Sequence, residues 1–373
     1  MSIIDEKWIN ETWEKLDKKL SRVAVEYRDA ITYTTEEGKK YNNTANDKDI
    51  NWWTNGFWPG LMWIMYDSTG NEEYRKTAEN AEKLLDKALR NYDKLDHDLG
   101  FMWHLSAGAN YRLTGNRDSY VRNMFAANTL AGRYNIKGEF IRAWNQPEKK
   151  GWAIIDCMMN IPLLYWASQE TGDERYKYIA MSHADKTLKH HIRPDGSVNH
   201  IVCYDPETGE ELETLGGQGY GVGSSWSRGQ AWGVYGFTLS YIHTAEEKYL
   251  DAAKKVANYF IAACCDDYLP KCDFRAPEEP VLYDSSAGLI AACGLIELSR
   301  VVPEFESKMY FNAACNIIKA IVENFADWSE DSDAIVTHCT TSYGAGKHWT
   351  LVYADFYLAE ALNKLKGINT FLW

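Results

Sequence analysis

The chain has 373 residues, of which 45% are hydrophobic, so it carries enough apolar material for a large core. Its formal net charge of -13 argues against nucleic acid as a partner, because phosphate binding needs clustered Lys and Arg. No apolar run reaches the length of a membrane span and the first 20 residues lack a signal-peptide pattern, so we expect no membrane partner. Eight cysteines without a CxxC pair are typical of free thiols in a reducing compartment and predict a cytoplasmic location.

The chain opens with an amphipathic segment at 5–31, which predicts an exposed helix. Six further segments are apolar nearly all round and rich in Gly, Ala and aromatic residues, so we expect them to be buried helices. They lie at 55–67, 99–113, 153–170, 225–243, 284–301 and 352–365.

The first five buried segments are each followed by a polar turn, a Tyr and a helix that is charged on one face. The repeated tyrosines are Tyr74, Tyr120, Tyr176, Tyr249 and Tyr310. This repeat predicts an all-α chain with six inner and six outer helices, arranged as an (α/α)6 six-hairpin barrel. We expect one domain over residues 1–373. The segment 196–213 predicts a small β-hairpin in a rim loop, around the turn "DPETG".

The long connections from outer to inner helices carry the unusual sequence, and such loops at one rim commonly hold a site. Asp156 is the first candidate, because it is the one carboxylate among the apolar residues 153–166. It is either a structural residue paired within the core or a general acid whose pKa is raised by burial. Asn160 lies four positions further on, and its role stays open.

Asp98 is the second candidate, in "DHDLGF" just before or at the start of the second inner helix, which is adjacent to the one that carries Asp156. It is either a helix N-cap or a partner of Asp156 across a central cleft. Two carboxyl groups that lie close together cannot both ionise easily, so the pKa of one is raised.

The loop 215–232 is rich in glycine but lacks the ending of a phosphate-binding loop. Its glycines either permit a compact turn or, with Arg228, bind an anion such as a carboxylate. Lys347 lies in a second polar loop at 342–349, either as plain surface or as part of the same rim. The nine histidines show no metal-ligand spacing, so we expect no metal and no cofactor.

Seven blocks of the sequence together resemble a known family. They are "NWWTNGFWPG", "DHDLGF", "RAWN", "GWAIIDCMMNIPLLYWA", "SVNHIVCYDPETG", "GQGYGVGSSWSRGQAWGVYGF" and "DSSAGLIAACGL". The chain resembles the unsaturated glucuronyl hydrolases, glycoside hydrolase family 88, from Asn51 to the last inner helix. The resemblance implies a single catalytic barrel that removes a 4,5-unsaturated uronic acid from the non-reducing end of lyase-generated oligosaccharides by hydrating the C4=C5 vinyl ether.

Matched to the family, Asp156 is the implied acid and base, and Asp98 is the second essential carboxylate. Arg228 is the implied contact for the uronate carboxylate. The other implied substrate-binding residues are Trp53, His97, Trp144, His200, Gln218, Trp226 and Trp232.

Some members of the family carry a C-terminal Ser-x-x-Ser-x-Lys signature for a sulfated substrate. This chain has Ser342, then Ala345 in place of the second Ser, then Lys347. The resemblance therefore implies substrate binding by Ser342 and Lys347 but leaves a preference for sulfate in doubt.

Three other functions compete with an enzyme that acts on glycosaminoglycan fragments. The nearest is an unsaturated rhamnogalacturonyl hydrolase acting on pectin fragments, which shares the barrel and the "SRGQ-W" element. The others are a sugar epimerase on the same kind of barrel and a non-catalytic oligosaccharide-binding protein. The expected partner is an unsaturated oligosaccharide, and a homodimer is compatible with the resemblance.

Overall fold

The helices form two concentric rings in the computed structural model, which describes residues 4–36, 38–368 and 371–373. The inner ring contains Phe57–Thr69 (α2), Ala109–Thr114 (α4), Pro162–Thr171 (α6), Ser227–Thr244 (α8), Ser285–Val301 (α10) and Val352–Leu365 (α12). The outer ring contains Glu6–Glu26 (α1), Glu72–Leu89 (α3), Arg117–Ala131 (α5), Glu174–His190 (α7), Glu247–Cys264 (α9) and Glu304–Phe325 (α11). The predicted all-α six-hairpin barrel is confirmed.

The inner ring is closed, because each inner helix contacts the next and α12 returns to α2, with α4 contacting α6 through the π-helix Gly100–Gly108 that precedes it. Nearly every residue of α8 and α10 is buried, whereas α3 buries only one face. The apolar side chains of the inner ring and the inward faces of the outer helices form one continuous core, with Trp58, Trp63 and Trp103 fully buried.

The repeated turn has a local physical basis. In the first copy, the inner helix ends at Gly70 in the left-handed region, with φ of 68°. The next residue, Asn71, caps the following helix by accepting a hydrogen bond from the backbone of Glu73. Tyr74 then donates to Asp17 on the preceding outer helix, at 2.6 Å. The repeat therefore encodes a tight turn and a link between neighbouring outer helices.

Seven short strands lie in the connections at the opposite rim. They are Thr32–Glu36 (β1), Lys40–Asn43 (β2), Tyr134–Asn135 (β3), Phe140–Ile141 (β4), Trp152–Ile154 (β5), Ile201–Tyr204 (β6) and Glu211–Leu215 (β7). The predicted hairpin is β6–β7, and β5 adds a third antiparallel strand to it.

Two of the predicted inner helices begin differently from the expectation. The segment 153–170 starts as strand β5, continues as a 3-10 turn at Ile155–Met159 and becomes helical only at Pro162. Asp156 therefore precedes its helix and does not lie within it, because residues 152–154 pair with β6. The segment 99–113 begins as a π-helix, Gly100–Gly108, that continues into α4.

Candidate active site

A cavity of about 540 Å³ opens at the rim that carries the long connections. It is lined by residues from five of the six outer-to-inner connections and by residues at the starts of α8 and α12. Nine of the residues expected at a site line it: Trp53, His97, Asp98, Trp144, Asp156, His200, Gln218, Arg228 and Ser342.

Asp156 reaches the cavity because strand β5 ends immediately before it. The backbone N–H of Ile155 donates to the carbonyl of His200 at 3.1 Å, which holds the two segments together. As a result Asp156 Oδ1 lies 3.5 Å from His200 Nε2, and the Asp156 side chain is 14% exposed.

Asp98 reaches the same cavity from the turn that precedes the π-helix. Its backbone N–H donates to Asp96 Oδ1 at 3.0 Å, so Asp96 shapes the turn. Its own Oδ2 lies 3.7 Å from His97 Nε2. Burial lowers the pKa of His97 to about 3, so this imidazole is neutral.

Asn160 connects the two acidic segments, which resolves the role that the sequence leaves open. Its Nδ2 donates to Asp98 Oδ1 at 3.2 Å and to the carbonyl of Asp156 at 3.2 Å. Its Oδ1 accepts from the backbone N–H of Phe101 at 2.8 Å. Gly100 packs so closely that an added Cβ would lie 2.5 Å from Asn160 Cα. One side chain thus links the carboxyl group of Asp98 to the backbone of Asp156.

The two carboxyl groups differ in pKa, and the difference is opposite to the expectation. Burial, with the charges of Asp96 and Asp156, raises the pKa of Asp98 well above its ordinary value. Burial also acts to raise the pKa of Asp156, but the adjacent His200 imidazole, together with His97 and Arg228, outweighs burial and lowers that pKa. The prediction of a raised pKa at Asp156 is therefore wrong for this structure, and Asp156 ionises before Asp98 as pH rises.

Arg228 lies at the cavity wall, but most of its hydrogen-bonding capacity is already used. Its Nη1 donates to Asp284 at 2.5 Å and to the carbonyl of Thr340 at 2.8 Å. Its Nη2 donates to the carbonyl of Thr341 at 2.6 Å. Arg228 thus pairs with Asp284 and holds the loop before α12 against the cavity, while its Nε has no hydrogen-bond partner among the described residues.

The four tryptophans expected at the site fall into two pairs. Trp53 and Trp144 line the cavity. Trp226 lies behind it, with its ring 4.3 Å from the ring of His200. Trp232 is fully buried against Phe101, with 5.1 Å between the rings, and does not line the cavity. Trp226 and Trp232 therefore pack behind the residues of the cavity wall, on the side of the core.

The glycine-rich loop 215–232 and the polar loop 342–349 meet at the cavity. Gln218 Nε2 donates to the carbonyl of Thr341 at 2.6 Å, and Tyr343 N donates to the carbonyl of Gln218 at 2.8 Å. Ser342 lines the cavity, whereas Lys347 is exposed outside the lining. The structure therefore brings Ser342 to the site and leaves Lys347 at its margin.

The cavity also contains residues that sequence reasoning missed. They are Tyr33, Asn51, Trp52, Asp96, Ile154, Thr341, Trp349 and Tyr353. Trp52 is adjacent to Trp53 and could have been chosen from the same block. Tyr33 comes from strand β1, and nothing in its surrounding sequence indicates a site. Among the described residues, no group of three or more His, Cys, Asp or Glu is placed to hold a metal ion.

A family model described as Glycosyl Hydrolase Family 88 matches residues 23–373. The chain belongs to glycosyl hydrolase family 88. The family predicted from the sequence blocks is therefore confirmed, and this family 88 chain is a glycoside hydrolase.

Curated relatives and a solved structure agree with this assignment. The unsaturated glucuronyl hydrolase of Bacillus sp. (strain GL1) is 34% identical over 93% of this chain and 94% of the relative. The unsaturated chondroitin disaccharide hydrolase of Streptococcus pneumoniae is 35% identical over 86% of this chain and 84% of the relative. The crystal structure of the Bacillus sp. GL1 enzyme, described as responsible for the degradation of glycosaminoglycan, matches with a TM-score of 0.92 and 31% identity over 98% of this chain and 99% of that one.

Across the described part of this family 88 chain, no helix has the length and apolar character needed to cross a membrane.

Proposed function

We propose that this enzyme removes a 4,5-unsaturated uronic acid from the non-reducing end of glycosaminoglycan disaccharides that lyases generate. The observation that carries the proposal is the pair of carboxyl groups, Asp98 and Asp156, that Asn160 links inside a tryptophan-bordered cavity. The relatives named unsaturated glucuronyl hydrolase and unsaturated chondroitin disaccharide hydrolase support this substrate class.

The proposed reaction is hydration of the C4=C5 bond, not direct displacement at the glycosidic carbon. A carboxylic acid donates a proton to C4, and positive charge develops at C5. Water adds at C5 while the resulting carboxylate accepts a proton from it, so the net change is the addition of one water molecule. The hemiketal at C5 then collapses, the ring opens, and the saccharide at C1 leaves as an alcohol.

Asp156 is our proposed acid and base, with Asp98 as the group that shares its proton. Asp156 is the carboxyl group that ionises first in this structure, so it must gain a proton before it can act. The substrate brings its own carboxylate into the cavity, and a like charge nearby raises the pKa of an acid. A substrate carboxylate that lies close to Asp156 therefore favours the protonated form of Asp156.

We propose that aromatic residues at the cavity wall hold the sugar, with Trp53 and Trp144 as the predicted contacts. Ala345 replaces the second serine of the sulfate signature, and Lys347 lies outside the lining. We therefore expect unsulfated disaccharides to be hydrolysed at least as fast as sulfated ones. Eight free thiols, seven of them buried, support the cytoplasmic location that the sequence predicts.

The test is to incubate the enzyme with unsaturated chondroitin and hyaluronan disaccharides in heavy water. We expect the absorbance of the conjugated uronate to disappear and deuterium to be found at C4 of the released acid. Absence of turnover on every unsaturated disaccharide would refute the proposed substrate class. Cleavage without label at C4 would refute the hydration mechanism.

A further inference from the structure

The two ring nitrogens of His200 face different partners. Nδ1 lies 3.0 Å from the backbone nitrogen of Gln218, whose N–H points at it. Nε2 lies 3.5 Å from Asp156 Oδ1. The His200 side chain is 4% exposed, so these protein groups and not bulk water decide where its proton lies.

A backbone N–H can only donate, so the Gln218 amide requires an unprotonated Nδ1. The competing acceptor for a proton on Nδ1 is the carbonyl of Gly216, which is further away at 3.4 Å. A proton on Nδ1 would place two N–H groups against each other at 3.0 Å. The backbone N–H of Gln218 therefore disfavours both the Nδ1–H tautomer of His200 and its doubly protonated imidazolium form.

The opposite nitrogen then carries the proton, and it faces the catalytic carboxylate. His200 Nε2 and Asp156 Oδ1 are both buried, and among the described residues neither has a closer hydrogen-bond partner. Their separation of 3.5 Å is long for a hydrogen bond, but such contacts in active sites commonly shorten when substrate binds. The second oxygen of Asp156 is left for the reacting sugar.

We propose that the backbone of Gly217 and Gln218 is a positioning element that holds His200 as the neutral Nε2–H tautomer, so that His200 donates a hydrogen bond to Asp156. The kinetic consequence rests on the proposed function, whereas the tautomer itself does not. The other titratable or charged side chains that interact electrostatically with this pair are Asp98, His97, Cys157, His191 and Arg228.

Gly217 is required for this contact. Its φ of 56° lies in the left-handed region, and a Cβ built on it would lie 2.0 Å from His200 Nδ1. A side chain at this position would push the imidazole away from the Gln218 amide. The ring cannot retreat freely, because Trp226 packs against it with 4.3 Å between ring centroids.

The same loop offers a matched control. Gly223 also has a left-handed backbone, with φ of 77°, but a Cβ there meets no atom within 4 Å. Gly217→Ala and Gly223→Ala therefore introduce similar backbone strain, and only the first disturbs His200.

The first experiment records two-bond proton–nitrogen NMR correlations of the full chain labelled with ¹⁵N-histidine, with His200→Gln used to identify the His200 signals. We expect a protonated Nε2 and an unprotonated Nδ1 at about pH 7. Protonation at Nδ1 in the wild-type chain would overturn the proposal, whatever the enzyme's activity. This measurement also decides the question if Gly217→Ala fails to fold.

The second experiment compares steady-state kinetics of the two glycine variants on an unsaturated disaccharide. We expect Gly217→Ala to lose on the order of 10²-fold in kcat with KM nearly unchanged, because a displaced imidazole misplaces Asp156. Gly223→Ala should keep wild-type kcat. Equal kcat values for the two folded variants would overturn the positioning role. If the wild-type chain has no activity on any unsaturated disaccharide, the proposed function fails and the NMR result still stands.

Discussion

At the level of single residues, the site depends on two carboxyl groups that ionise in sequence. The charge of each raises the cost of ionising the other, and burial adds to that cost for both. His200 and Arg228 stabilise a negative charge on Asp156 only, which separates the two pKa values. A pair that holds one proton between two groups can donate it to carbon and recover it from water in the same turnover.

Replacement of Asp156 by Asn is expected to abolish turnover while substrate still binds. The amide has nearly the same shape but cannot transfer a proton, so kcat should fall by a factor on the order of 10² to 10⁴. Substrate affinity, followed by the fluorescence of the cavity tryptophans, should change little. Asp266→Asn is the control, because Asp266 is exposed and lies outside the cavity lining. Near-normal kcat in Asp156→Asn would remove this residue from the mechanism.

Asp98→Asn is expected to stabilise the protein at high pH while it reduces kcat. The pKa of Asp98 is raised in the folded chain, so the stability associated with its protonated form is lost as pH rises. Each unit of pKa elevation corresponds to about 1.4 kcal/mol. The amide keeps an acceptor for Asn160 and never ionises.

Thermal unfolding of the wild type and of Asp98→Asn at several pH values tests whether the stability associated with protonated Asp98 is lost as pH rises. The difference in Tm should grow in favour of the variant as pH rises above about 4, the ordinary pKa of an aspartic acid, because the pKa of Asp98 is raised in the folded chain. A difference that is constant with pH would show that Asp98 titrates at the same pH in the folded and unfolded chains.

Sequence reasoning selected both acids correctly as cavity residues but not their order of ionisation. The cause is the partner His200, which β5–β6 pairing brings to Asp156 from 44 positions further along the chain. Arg228 illustrates the same limit. Its position in the glycine-rich loop was informative, but its ion pair with Asp284 depends on the packing of α8 against α10.

At the level of elements, the geometry of the proposed catalytic pair is set where two inner helices begin. The π-helix after Asp98 and the 3-10 turn around Asp156 are irregular segments, which are common at functional sites. Asn160 joins them through three hydrogen bonds. The two segments thus form one unit, although Asp98 and Asp156 lie 58 positions apart in the sequence.

Removing this link is expected to impair both stability and catalysis. Asn160→Ala leaves the buried N–H of Phe101 without its acceptor, which should lower the free energy of unfolding by about 1–3 kcal/mol. It also frees Asp98, so kcat should fall more than KM rises. Urea denaturation and steady-state kinetics measure the two effects. Asn324→Ala, on the exposed face of α11, is the control. An unchanged kcat in Asn160→Ala would mean that other contacts fix the two acids.

The segment before α12 supplies an aromatic residue at the cavity margin. Trp349 is 47% exposed and is held by paired backbone hydrogen bonds with Cys339. A half-exposed indole beside a sugar cavity is suited to stack on the saccharide that leaves. We expect Trp349→Ala to raise KM about tenfold with kcat nearly unchanged.

Trp328→Ala provides the comparison, since that indole lies near Lys15 of α1 and does not line the cavity. Its KM should match that of the wild type. A fall in kcat without a change in KM for Trp349→Ala would place Trp349 in the chemical step and not in binding of the leaving saccharide.

The helical hairpins, which carry the repeated turn and tyrosine, were predicted well from the sequence. Strand β5, which lies outside the repeat, was not. The polar turn with its tyrosine is local chemistry, so the hairpins could be located from sequence. The strand β5 is only three residues long and forms because β6 is already beside it. An apolar run of this kind does not distinguish a strand from a helix.

At the level of the whole molecule, ring closure requires the last inner helix to dock between the first and the fifth. Lys364 on α12 is buried there, and its ammonium contacts Glu297 of α10 and Glu360 of α12. Burial acts to lower the pKa of Lys364, but the charges of Glu360 and Glu297 outweigh it and raise that pKa. Lys364 is therefore charged, and it compensates buried acidic groups at the closing contact of the barrel.

Lys364→Met is expected to lower the free energy of unfolding by about 3–5 kcal/mol, because it leaves buried carboxylates without their cation. Lys319→Met is the matched control, since Lys319 forms an exposed pair with Glu323 one turn away on α11. Lys319→Met should lower the free energy of unfolding by less than about 1 kcal/mol. Urea denaturation followed by tryptophan fluorescence measures both variants. Equal effects would mean that apolar packing alone closes the ring, whereas a large loss confined to Lys364→Met assigns the closing contact to this ionic cluster.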